Sequence, residues 1–175
     1  MSKAKIAVLL SSVLVLALAA VPAQAQGGTA STVLRGFDEV PALSTLGRGT
    51  FTATINADGS EMTYELHYSG LTGTPTQAHL HFGQKGVNGG IMIFLCSNLG
   101  NGPAGTQACP AGSATLTGTI HASDVVSGAA PQGVPPGSLF APLRGLRGGV
   151  VYANVHSTVF PGGEIRGQVQ FAPAQ

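Results

Sequence analysis

Two histidines two positions apart, His79 and His81, are the first residues in the chain whose spacing could do chemistry. On a β-strand such a pair points to one face. A second set, Tyr152, Asn154 and His156, alternates in the same way. If the two strands are neighbours, three imidazoles from His79, His81 and His156 meet. Neutral imidazole suits copper and zinc, so a metal site is one reading. The other is a metal-free hydrogen-bond network of His, Asn, Glu and Arg side chains. Leu80, Phe82, Val151, Ala153 and Val155 fall on the opposite, core-type faces, so the histidines are not simply core filler. His67 and His121 also lie on polar faces, and solvated histidine describes them better than a further ligand.

The second candidate is Glu164-Ile165-Arg166. Glu164 and Arg166 share a strand face and could pair with each other or with Glu39. Glu164 as metal ligand or general base is the functional reading. A semi-buried ion pair that fixes strand register is the structural one, and it is favoured because no defined set of catalytic partners accompanies the carboxylate. The sequence holds no nucleophile elbow, phosphate loop, paired-carboxylate signature or dinucleotide fingerprint, which points away from catalysis. Cys96 and Cys109 are the only cysteines. Their even number favours a disulfide across a Gly/Pro/Asn-rich segment; the spacing is not that of a redox C-x-x-C pair.

These residues must be positioned by strands. Phe51, Ala53 and Ile55 alternate with threonines, the Asp58-Gly59 turn follows, and Met62, Tyr64, Leu66 and Tyr68 alternate with polar residues, which predicts a hairpin. Further strands are expected around 77–82, 91–95, 114–121, 150–157 and 164–171. Ser123 to Val126 reads as one capped helical turn, and a short helix within 138–147 should bury Leu139, Phe140, Leu143 and Leu146. Twenty-six glycines and eleven prolines supply the turns. The fold class is all-β, a sandwich or flattened barrel with one or two short helical turns in loops.

The N-terminus carries an export signal: Lys3 and Lys5, the apolar run Ile6 to Ala20, then Ala23-Gln24-Ala25. Cleavage after Ala25 would place the protein in the periplasm or outside the cell. It would leave 150 of the 175 residues, the size of one domain. Residues 26–31 read as a flexible leader and 32–172 as the domain. Loss of Lys3 and Lys5 turns eight basic residues against seven acidic into six against seven. No basic patch for nucleic acid remains, and no later stretch is long enough to span a membrane. The expected partner is an extracellular protein or surface ligand.

Several segments together resemble the CHRD domain, named for chordin. They are Leu34 to Pro41, Tyr64 to Leu71, Ala78 to Gly83, Gly86 to Gly90, Tyr152 to Ser157 and Pro161 to Gln168, in the family's order. The resemblance implies an immunoglobulin-like β-sandwich or barrel related in outline to copper/zinc superoxide dismutase. It implies no reaction. The function expected is that of an exported, non-catalytic binding or structural module, the alternative being a copper or zinc protein, with redox chemistry, built on His79, His81 and His156.

Overall fold

A computed structural model describes residues 27–175; the export signal read at residues 1–25 lies outside the described residues. Nine strands follow in order: β1 Gly28–Arg35, β2 Arg48–Ile55, β3 Glu61–Ser69, β4 Pro75–Phe82, β5 Gly90–Ser97, β6 Ala114–His121, β7 Val151–Ser157, β8 Ile165–Gln168 and β9 Gln170–Pro173. One helix, α1, spans Phe140–Arg147. All pairings are antiparallel, in the order β5-β4-β7-β8-β1-β2-β3-β6, with β9 beside the start of β1. The sheet curls until its two ends nearly meet. Just past β6, Val125 bridges Ile93 of β5, and the Val126 amide donates to Met92 O at 2.8 Å. This is the expected all-β barrel-like architecture.

Period-two alternation builds it. Phe51 faces Leu66, Ala53 faces Tyr64 and Ile55 faces Met62, all buried, while the intervening threonines are exposed. The hairpin turn closes through Gly59 at φ +71° and the Ser60 amide on Asp58 Oδ1 at 3.0 Å. Leu34, Leu80, Leu116, Val155 and Ile165 add to the barrel interior. The Cys96–Cys109 disulfide forms, fastening the irregular segment after β5 onto its end.

Four details differ from expectation. The supposed leader is structured: Gly28 to Ser31 begin β1 and pair with β2 on one side and β9 on the other. Small residues conceal a strand from a pattern search, yet their backbone is bonded on both edges, and Ala30 is buried. Phe140 is 63 % exposed. The buried stripe of α1 runs through Leu139, Leu143 and Leu146 at helical spacing, which turns Phe140 outward under the Arg144 guanidinium. The strand expected over 164–171 is two, β8 and β9, broken at buried Val169. The helical turn expected at Ser123–Val126 sits one residue earlier, over Ala122–Asp124, with Asp124 Oδ2 accepting from the His121 amide.

The strands β5, β4, β7 and β8 are covered on both faces. Every residue of β7 is buried. Their inner face lines the barrel. Their outer face carries the polar residues singled out above, and it is roofed by the segments joining β1 to β2, β4 to β5 and β7 to β8.

Candidate metal centre

Register brings the histidines together. Across β4 and β7, His79 lies opposite Asn154, His81 opposite Tyr152 and Gln77 opposite His156. Directly opposed residues share a face. His79 is fully buried, and His81 and His156 are nearly so. One ligand nitrogen from each lies within 4.8 Å of the other two. Zinc with bonds of ~2.0–2.1 Å needs nitrogens roughly 3.3 Å apart, so the rings must draw in by up to about 1.5 Å to share an ion.

The ring tautomers follow from their partners. His81 Nδ1 lies 2.9 Å from Gly89 O, and His156 Nδ1 lies 2.9 Å from Pro161 O. A carbonyl only accepts, so both Nδ1 atoms carry the proton and both Nε2 atoms keep a lone pair. This backbone anchoring is the support that metal-bound imidazoles use. His81 Nε2 and His79 Nε2 are buried without any partner. His79 Nδ1 approaches His156 Nε2 at 3.2 Å and donates to it in the metal-free arrangement.

Asn154 makes the arrangement more demanding. Its Nδ2 lies on the side of Gly163 and Glu39, and its Oδ1 is turned toward the histidines. Oδ1 then sits 3.1 Å from His156 Nε2, an acceptor facing an acceptor. A cation between them would satisfy both.

Burial sets the charge state. Removal from water drives His79 down to about 2 and His81 to about 4, and it lowers His156 as well. All three rings are neutral at pH 7, the form that binds a metal. Burial also raises Glu39 to about 7, against the pull of the Arg166 guanidinium. Gly163 makes room for Glu39: a Cβ there would stand 2.5 Å from Glu39 Oε1, and its φ of +126° suits glycine alone.

Arg166 and Glu164 do not form the expected ion pair. Arg166 donates from Nη1 to Asn88 Oδ1 at 2.9 Å and from Nη2 to Val87 O at 2.6 Å. Its guanidinium lies 3.4 Å above the centre of the Tyr152 ring, which stacks in parallel on His81 at 4.6 Å. Glu164 instead accepts the Thr72 amide through Oε1, and its Oε2 has no partner. Short strand segments alternate faces, but the turn before Ile165 directs Glu164 to the 70–73 crossover. His67 and His121 stand on β3 and β6, at the other end of the sheet order.

Sequence reasoning missed the roof. Gly89, Pro161, Asn88 and Phe94 all touch this cluster, Phe94 edge-on to His79 at 4.4 Å. Backbone carbonyls leave no trace in residue type. The Gly86-Val87-Asn88-Gly89-Gly90 and Pro161-Gly162-Gly163 runs were the available signal, since such glycines let backbone approach side chains closely.

Residues 30–169 match the family model described as the CHRD domain. The comparison with curated proteins returns no match. With that match covering most of the described residues, the chain belongs to the CHRD domain family.

Proposed function

We propose that this chain is an exported CHRD module that holds a single copper or zinc ion between His79, His81 and His156. The observation that carries the reading is that His79, His81 and His156 each bring a ring nitrogen within 4.8 Å of the other two in a buried setting, with His79 Nε2 and His81 Nε2 unpartnered and two of the rings anchored through Nδ1 to backbone carbonyls. The donor set is nitrogen-rich and lacks thiolate, which suits Zn(II) and copper rather than Mg(II) or Ca(II). The role proposed is binding, not turnover. Glu39 lies on the Gly163 side of Asn154, outside the histidine group, and the part proposed for it is to orient that amide. The export half of the proposal rests on the N-terminal pattern; the Cys96–Cys109 disulfide and the lack, among the described residues, of a helix able to cross a membrane are compatible with it.

A titration tests the metal half. Thermal unfolding of the metal-stripped mature protein, followed with added Zn(II) or Cu(II), should move upward, because a ligand that binds only the folded state stabilises it by mass action. The shift should vanish in His81→Ala. If neither ion moves the transition, the cluster is a hydrogen-bond network built on the His79–His156 contact. The export half is tested by the mass of the protein recovered outside the cytoplasm, which should begin at Gln26.

A further inference from the structure

Negative charge is scarce where the three imidazoles meet. Among the described residues, the group of ligand atoms at this point belongs to His79, His81 and His156, with no carboxylate or thiolate in it. The atom facing His156 Nε2 at 3.1 Å is the amide oxygen of Asn154, which is also uncharged. The charge that does approach is positive. The nearly fully buried Arg166 guanidinium lies 3.4 Å above the centre of the Tyr152 ring, and Tyr152 stacks in parallel on His81 at 4.6 Å. Glu39 stands outside the group, on the Gly163 side of Asn154. Even fully ionised, it offsets Arg166 and leaves the ion's own charge unmet.

The setting is also shielded from water. His79 is fully buried, and the Nε2 atoms of His79 and His81 have essentially no accessible surface. Phe94 closes edge-on against His79 at 4.4 Å between ring centres, and Tyr152 covers the face of His81. The folded surface therefore gives a hydroxide ligand no opening at these atoms. The cost of moving an ion from water into low-dielectric surroundings rises with the square of its charge, so a divalent ion meets about four times the penalty of a monovalent ion of equal size. Zinc sites commonly meet that penalty with thiolates, a carboxylate or a bound hydroxide. None of these belongs to the group around His79, His81 and His156. Cu(I) carries half the charge, binds imidazole nitrogen and tolerates low coordination numbers.

We propose, resting on the metal reading above, that the site selects by charge and holds Cu(I) in preference to Zn(II) and Cu(II). The selecting features are the uncharged donor set, the Arg166 charge behind Tyr152, and the aromatic seal of Phe94 and Tyr152. Copper bound here is kept in its reduced form.

Competition titrations test it. Metal-stripped, disulfide-intact protein is titrated under argon with Cu(I) against bicinchoninate, and separately with Zn(II) and with Cu(II) against chromophoric chelators of known affinity. Cu(I) should bind at least about 100-fold more tightly than either divalent ion, and the binding should be lost in His81→Ala. Asn154→Asp places an anionic oxygen where the amide oxygen stands, and should narrow the preference by at least about tenfold. Zn(II) or Cu(II) binding as tightly as Cu(I) in the parent would overturn the charge selection and leave the metal site standing. Absence of saturable binding by all three ions would overturn the metal reading and the selection with it. An unchanged preference in Asn154→Asp protein that keeps a cooperative thermal transition would also overturn the selection; if that variant does not fold, the parent comparison decides alone.

Discussion

Acidifying the metal-free, disulfide-intact protein from pH 7.5 to pH 5.5 should lower its stability by at least about 1 kcal/mol, and Glu39→Gln should add about 2 kcal/mol to that loss. All three buried histidines have folded-state proton affinities below the ordinary value, about 2 for His79 and about 4 for His81. The unfolded chain takes up protons near pH 6.5, and the folded chain cannot. Stability is therefore fully present above pH 6.5 and falls as the pH drops toward the folded values. Each ring whose folded value lies well below this window loses about 1.4 kcal/mol per pH unit once the unfolded form is protonated, so His79 and His81 together lose about 3 kcal/mol, and His156 adds to the loss in the same direction. Glu39 works in the opposite sense. Its folded value of about 7 lies above its ordinary 4.5, so in this range the folded state binds the extra proton. It returns about 2 kcal/mol on acidification, and Gln cannot. Guanidinium chloride titrations at the two pH values, with chelator present, read both numbers from midpoints at constant slope. Stability that is flat or rising toward pH 5.5, or a Glu39→Gln protein that loses no more than the parent, would refute the burial argument.

Removing the staple with Cys96→Ser/Cys109→Ser should cost about 3 kcal/mol in the chain-entropy model, read as a lowered thermal midpoint, and thiol titration of the unreduced parent should find no free thiol. Gly163→Ala forces a side chain into a left-handed backbone position and against Glu39, and should destabilise by about 1–3 kcal/mol in a urea titration. Arg166→Met removes the donors to Asn88 and Val87 and should cost about 2–4 kcal/mol, with faster proteolysis within residues 83–89.

Strands were legible wherever one face is wet. Thr50 to Ile55 and Glu61 to Tyr68 alternate cleanly because the threonines meet water and the apolar residues meet the barrel. The same alternation at His79, His81, Asn154 and His156 gave the shared face but not what covers it. A face of polar residues suggests solvent, and here three connecting segments cover it. Which segments do so depends on backbone carbonyls at Gly89 and Pro161, to which residue type is blind. β1 was shortened for a related reason: Gly28, Thr29 and Ser31 carry no apolar signal, and pairing on both edges decides their conformation. The Glu164–Arg166 pair failed because adjacent charges of opposite sign invite pairing in sequence, whereas the chain reverses at Gly163 and sends the two side chains to different neighbours.

Elemental analysis of the purified protein, parent beside His81→Ala and His156→Ala, tests the central claim most directly. The account predicts about one copper or zinc ion per parent chain and little in either variant, since a structural or binding site of this kind is lost with a single ligand. Substoichiometric metal in the parent, unchanged in the His81→Ala variant, would contradict it.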